Sequence, residues 1–414
     1  MTKSINYLNF DLLLTRSGEH YRAFVIDAPG GEANILFDLP SEQQDLPSLL
    51  RHHGPWRGMK TSAPATVVDA TPDVVGRQLY ETIFQSTMRD VLIASQKEAE
   101  ALDAGLRLRL RFSEDASELA VLPWELLYDV SHERFLALSE RQPILRYLSL
   151  PRPRPALVTK PPLSILAILS SPNGLARLDL EAEWQFLCDA LAPLTKDGKV
   201  RLERLTTPTV AALHQRLLGD AVHVLHFVGH GVFDTERSQG MLVMADEQNE
   251  ARCIGAGEVA TLLANHSSLR LVYLNTCEGA LGSASNVFAG LAQRLVQQGA
   301  PAAIAMQAAI SDEAGIELAR TFYAALATGR PVDAALAQAR VALAGASSME
   351  WATPVLLAVR PTTASSISAT CCPHPTVPIP VCVRSAKRRL LYSLAATRRL
   401  RRPSVICITI RSWP

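Results

Sequence analysis

A chain of 414 residues, 48% hydrophobic but only 6% aromatic and rich in Ala and Leu, can bury a large core and suits helices packed on a parallel sheet. The net charge of +1 hides an asymmetry: nine Lys and Arg and no acid lie after Pro361, so residues 1–360 carry 32 basic against 40 acidic groups, a net of −8. Charge therefore excludes the body as a nucleic-acid binder, and with no stretch of 18 uninterrupted apolar residues no membrane span is expected.

Taken in order, residues 4–14 and 21–28 alternate loosely and predict a hairpin around Ser17–Gly18, and Pro40–Thr66 is loop-rich. Asp73–Lys97 predicts one helix with a broken apolar stripe of Leu79, Ile83 and Val91. Leu106–Phe112, L-R-L-R-L-R-F, alternates strictly and predicts a half-exposed strand with solvated arginines. Leu122–Asp129 is a compact apolar block enclosing Glu125, and Phe135–Leu150 predicts one or two strands. The P-R-P-R-P stretch at Pro151–Pro155, closed by Pro161–Pro162, reads as an extended linker and sets the main boundary.

The second half is regular. Strands are predicted at Leu163–Leu169, Val200–Leu205, Val222–Val228, Met241–Ala245, Leu269–Leu274, Ala302–Met306 and Pro354–Val359. Helices are predicted at Leu180–Leu194, Thr209–Leu218, Gly257–Ala264, Val287–Gln298, Asp312–Ala327 and Val332–Ala344. Alternating strands and helices imply an α/β fold: a mostly parallel sheet sandwiched between helices, with an N-terminal α+β extension. The expected organisation is an N-terminal region over 1–150, a linker over 151–162, a core over 163–360, and a basic, Cys-containing, disordered tail over 361–414. No repeat period of 20–50 residues occurs.

Two loops carry the chemistry. Val222–Val228 runs into V-G-H-G at Val228–Gly231, and Leu269–Leu274 runs into N-T-C-E-G at Asn275–Gly279. Two strands ending in a Gly-flanked His and a Gly-flanked Cys place an imidazole and a thiol where open α/β sheets bind ligands. A thiol attacks only as thiolate, so His230 is the candidate base and Cys277 the candidate nucleophile. The N–H groups of Gly231 and Cys277 are candidates for the oxyanion hole. For either residue alone, a buried Cys or a turn His is the commoner role; matched strand ends favour chemistry. Glu278 should point away from the thiolate, or orient a backbone or substrate amine. His223 and His226 read as packing or hydrogen-bonding residues, and His266 as a surface loop residue.

Of seven cysteines only Cys188, Cys253 and Cys277 precede the tail, too few for a disulfide framework. The opening M-T-K-S-I-N-Y-L-N-F-D lacks the apolar run of a signal peptide, so a reducing cytoplasm is expected. No C-x-x-C or H-E-x-x-H spacing and no phosphate-cradling glycine loop occurs, so no metal or other cofactor is expected.

These motifs, with L-P-W-E-L-L-Y-D, Q-G-A-P-A-A-I-A-M-Q and the F-Y-A-A-L…A-L-A-Q-A-R block at Phe322–Arg340, resemble the CHAT domain family. That family is a caspase-like group of clan CD cysteine peptidases often associated with tetratricopeptide repeats. The resemblance runs from Leu122 to Val359 and so takes in the later portion of the N-terminal region. It implies peptide-bond cleavage of a specific protein substrate through His230 and Cys277, in a bacterial regulatory or defence system. The usual repeats are missing, so a regulatory repeat protein would be a separate chain. The tail after Pro361 matches nothing in the family, and its composition resembles out-of-frame translation. Asn275 stands where basic-specific clan members carry Asp. Glu181 and Glu183 are the candidates to restore an acidic substrate pocket, although acids at a helix start also suit its dipole. The alternatives are a silent caspase-like docking or scaffold module and another acyl-transfer enzyme.

Overall fold

The structure, a computed structural model, describes residues 5–39, 71–148 and 161–359, except 235, 238, 265, 277–286, 309 and 346–348. The chain divides into two compact units, 1–371 and 372–414, and every described residue belongs to the first. The loop at Pro40–Thr66, the linker at Pro151–Pro155, Cys277, Glu278, Gly279 and the basic tail lie outside the described residues.

The N-terminal half supplies β1 (Tyr7–Ser17), β2 (His20–Asp27), β3 (Ala33–Phe37), α1 (Pro72–Ile83) and α2 (Thr87–Ala101). β4 (Gly105–Phe112), β5 (Tyr128–Asp129), β6 (Arg134–Phe135) and β7 (Ile144–Tyr147) follow. The helix predicted over 73–97 is two helices, broken where Phe84 caps the first and Ser86 takes φ 46°. Its broken apolar stripe was the trace of that break.

The second half runs β8 (Leu163–Ser170), α3 (Leu180–Lys196), β9 (Val200–Arg204), α4 (Val210–Leu217) and β10 (Val224–Gly229). Then come β11 (Gly231–Asp234), β12 (Gln239–Ala245), β13 (Ala251–Gly255), α5 (Ala256–Ala264) and β14 (Leu271–Thr276). The chain continues as α6 (Val287–Gln297), β15 (Ala302–Met306), α7 (Asp312–Ala327), α8 (Val332–Ala344) and β16 (Pro354–Ala358).

One 11-stranded sheet spans both halves in the order β3-β2-β1-β4-β7-β16-β15-β14-β10-β8-β9. From β14 through β9 the strands are parallel, as are β15 with β14, β4 with β1, and β7 with both β4 and β16. The pairs β1–β2, β2–β3 and β15–β16 are antiparallel. The seam between halves is β7 beside β16, so the sheet runs unbroken across the boundary that the Pro-rich stretch suggested.

Strand alternation explains the two cores. Val224 and Val228 of β10 face one side with Leu187 and Leu191 of α3 and Leu318 and Phe322 of α7. Leu225 and Phe227 face the other with Leu213 of α4, Leu263 of α5 and Leu291 of α6. A strand buried on both faces reads as the continuous apolar run found in β8 and β10.

The arginines of β4 are not solvated. Arg107 is fully buried and paired with Asp333 of α8, and Arg109 is buried on Asp11 of β1. Arg111 also reaches Asp11, and the ring of Tyr147 lies 4.4 Å from its guanidinium carbon. β4 is an interior strand, and carboxylates 98 and 226 residues away neutralise its polar face. Glu125, from the apolar block, meets Arg146 at 2.7 Å and accepts from Gln307 at 3.0 Å, so its charge is compensated inside the core.

Candidate active site

Parallel β10 and β14 are direct neighbours, and their last pair in register is Gly229 with Thr276. His230 therefore follows the last residue of one strand, and Cys277 directly follows the last residue of the other. The 46 residues between them hold the small antiparallel sheet β11-β12-β13 and α5, where the sequence showed a single hairpin strand and a helix. Gly231 opens β11 opposite Leu242.

His230 is 2% exposed, and its Nε2 lies 2.7 Å from the carbonyl oxygen of Ala176. A carbonyl only accepts, so Nε2 carries the proton and Nδ1 holds the lone pair. No hydrogen bond reaches Nδ1 among the described residues. Burial lowers the imidazole's basicity, and the hydrogen bond to Ala176 offsets some of that effect. The ring is thus neutral and oriented, as a base must be before it takes a proton.

Ala176 belongs to the loop between β8 and α3, which is tied at several points. Asn173 N–H donates to the Asn249 carbonyl at 2.8 Å, its side-chain amide donates to Glu250 at 3.0 Å, and Leu178 N–H donates to the Ser171 hydroxyl at 3.0 Å. The loop ends where the Asp179 side chain caps α3 by accepting from Ala182 N–H at 3.1 Å.

Beneath the strand ends, between α3 and α7, lies a small cavity of about 10 Å3, room for one water molecule. Leu169 of β8, Val228 of β10 and Asn275 of β14 contribute from the sheet, and Glu183 of α3 and Gly315 of α7 from the helices. The structure thus brings Asn275 and Glu183 together. Glu181 stands apart from it, paired with Arg204 at 2.8 Å and largely exposed. The Oδ1 of Asn275 is buried without a hydrogen-bond partner among the described residues. The Glu183 carboxyl is pushed up to about 7 by burial first, then by the negative charges of Asp312 and Asp179.

His226 lines the floor of the same pocket. It stacks on Tyr273 with ring centroids 4.6 Å apart, shares a 2.8 Å hydrogen bond with the Tyr323 hydroxyl, and burial lowers it to about 3. It is a neutral core histidine. His223 Nδ1 accepts from Ser164 N–H at 2.9 Å. His266 is not a free surface residue: its Nε2 accepts from Val222 N–H at 3.2 Å and pins the entry to β10.

Sequence reasoning missed the Ala176 carbonyl and Gly315, while His226 is the packing and hydrogen-bonding residue it was read as. A backbone acceptor 54 residues from its histidine leaves no side-chain signal. Gly315 stands at an unremarkable place in an Ala-rich helix, yet a Cβ there would come within 3.2 Å of the Asn275 amide nitrogen.

Among the described residues no helix is long and apolar enough to cross a membrane. No curated protein matches the sequence. Among solved structures, the chain is similar to the separase of a Saccharomyces cerevisiae separase–securin complex, with TM-score 0.36 and 12% identity over 78% of this chain and 23% of that one. It is also similar to a complex of Porphyromonas gingivalis RgpB pro- and mature domains, with TM-score 0.41 and 11% identity over 80% and 78%. A secreted C11 cysteine protease from Bacteroides thetaiotaomicron gives TM-score 0.31 and 11% identity over 44% and 58%. The chain spans less than a quarter of the separase. Residues 73–370 match the CHAT domain, and with well over half its length so matched, this chain belongs to the CHAT domain family.

Proposed function

We propose that the chain is a caspase-like cysteine endopeptidase working through Cys277 and His230. The observation that carries this reading is the state of His230: its Nε2–H is committed to the Ala176 carbonyl, its Nδ1 meets no donor among the described residues, and it stands at the end of the strand paired in register with the one leading to Cys277. In the proposed reaction His230 Nδ1 takes the Cys277 proton, and the thiolate attacks the substrate carbonyl carbon. The N–H groups of Gly231 and Cys277 stabilise the oxyanion. The tetrahedral intermediate collapses to a thioester as the C–N bond breaks, and His230 returns its proton to the leaving amine. Water, deprotonated by His230, then hydrolyses the thioester and restores the thiol.

In this reading Asn275 and Glu183 lie beside the place taken by the substrate side chain preceding the scissile bond. The substrate is a protein, and a separate regulatory chain, such as a tetratricopeptide-repeat protein, controls access to it. The test is alkylation of the full chain by thiol-directed peptidyl reagents, read by mass spectrometry, beside cleavage of a natural substrate. Labelling at Cys277 that disappears in His230→Ala supports the dyad. Full biological activity in Cys277→Ala would replace the peptidase by the docking module.

A further inference from the structure

The two ends of the 11-stranded sheet are finished differently. β9, at one end, carries Arg201, Glu203 and Arg204, and each is engaged: Arg201 with Asp220 at 3.1 Å, Glu203 with Arg216 of α4 at 2.5 Å, and Arg204 with Glu181 at 2.8 Å. Charged side chains along an edge deter a further strand. β3, at the other end, reads A-N-I-L-F and has no charged residue. Among the described residues it pairs with β2 alone, so its outer row of backbone N–H and C=O groups meets no strand.

This edge is held firmly from behind. Gly30 N–H, in the turn leading into β3, donates to the Ser95 hydroxyl of α2 at 2.9 Å, and the Phe37 ring stacks on Tyr21 with centroids 5.6 Å apart. Ala23, Val25 and Phe37 are buried with Leu92 of α2. Strand alternation puts Phe24, Ile26 and Leu36 on the opposite face, where Leu36 is 52% and Ile26 43% exposed. An apolar, preorganised edge of this kind suits main-chain pairing with an extended peptide.

Charge decides which strand it takes. Glu32 and Asp38, both exposed, stand immediately before and after β3. A second copy paired antiparallel about Ile35 would set Asn34 against Leu36, Ala33 against Phe37 and Glu32 against Asp38, the last pair twice over. Like charges directly opposed destabilise a strand pair, so the two-fold arrangement is disfavoured. The same two acids favour an incoming strand with cations at its ends. Arg22 lies one strand further in, across from Leu36, its guanidinium carbon 5.6 Å from the Phe24 ring.

We propose that the outer edge of β3 docks an extended segment of another protein, apolar in its centre and carrying lysine or arginine at both ends, as a twelfth strand of the sheet. β3 lies eight strands along the sheet from β10, about 38 Å at the usual strand spacing, so the docked segment leaves the surroundings of His230 open. The proposal is independent of the peptidase reading.

Measurements on the full chain test it. Fluorescein-labelled peptides K-V-T-V-T-V-K, E-V-T-V-T-V-E and K-V-P-V-P-V-K, whose prolines cannot join a ladder, are titrated to about 1 mM by anisotropy. The first should bind roughly tenfold more tightly than the second, the factor expected when two exposed charge pairs attract rather than repel, and the third should not bind. Glu32→Lys combined with Asp38→Lys should reverse the order of the first two. Leu36→Lys, which puts a charge on the edge at an exposed position, should weaken the first peptide at least about tenfold with Tm unchanged. Hydrogen exchange should show the first peptide protecting residues 33–37. No binding of the first peptide, protection elsewhere than 33–37, or equal affinity for both charge types overturns the proposal. So does a wild-type chain that sediments as a dimer and becomes monomeric with Leu36→Lys, since a second copy would then occupy the edge.

Discussion

Replacing Glu183 by Gln should stabilise the protein at alkaline pH and leave it unchanged in acid. The carboxyl goes from an ordinary 4.5 to about 7 in the folded chain. Below about 4.5 it is protonated whether the chain is folded or unfolded, so it costs nothing. Between about 4.5 and 7 the unfolded chain releases the proton and the folded chain keeps it, so wild-type stability falls as pH rises. Above about 7 both forms are ionised and the loss is constant. An interval of about 2.5 pH units at ~1.4 kcal/mol each sets a ceiling of about 3.4 kcal/mol. Glu183 is only partly buried, so water screens its charge and a gain of about 1–2 kcal/mol is expected for the Gln variant at pH 8. Urea denaturation of both proteins at pH 4.5, 6, 7 and 8 measures the difference, and every other titrating group cancels between them. A Gln variant no more stable than wild type at pH 8, or a gap that does not change with pH, would show that the carboxylate finds a partner, and the reasoning would fail.

Other outcomes follow from the same structure. Asp333→Asn takes the counter-charge from the fully buried Arg107 guanidinium and should cost about 3–5 kcal/mol in chemical denaturation, whereas Arg16→Ala, at an exposed pair with Glu118, should leave the denaturation midpoint almost unmoved. His226 is depressed to about 3, so its contribution is present above pH 6.5 and lost at up to ~1.4 kcal/mol per pH unit as pH falls toward 3; a His226→Phe chain should show a shallower acid loss in Tm against pH. In cleavage assays on a natural substrate, Cys277→Ala and His230→Ala should each abolish turnover without additive effect, while Cys188→Ala and exposed Cys253→Ala should leave the rate within about twofold. Gly315→Ala should leave the Tm near the wild-type value, because Ala is the better helix former and the Asn275 amide need give by only a few tenths of an ångström.

The alternating apolar runs and helical stripes of the second half were legible because burial imposes a period: β8, α3, β10, β15, α7 and α8 lie where the sequence predicts them, within about two residues. So were the two strands that lead to His230 and Cys277, each too apolar to lie anywhere but inside. What the sequence could not carry was the identity of distant partners. Nothing in L-R-L-R-L-R-F says that Asp11 and Asp333 will neutralise it, and an arginine with a buried counter-charge looks the same in sequence as one in water. The antiparallel turn of β16 onto β15 and its seam with β7 depend on which edges are free once the other strands have packed. The site divides in the same way. His230 is marked by its flanking glycines, but the Ala176 carbonyl that sets its tautomer is a backbone atom common to every residue, and only the folding of the loop between β8 and α3 brings it within 2.7 Å. Glu181 and Glu183 are equivalent on paper. Two residues of helix rotate them about 200° apart, so one meets Arg204 at the surface and the other turns inward beside Asn275.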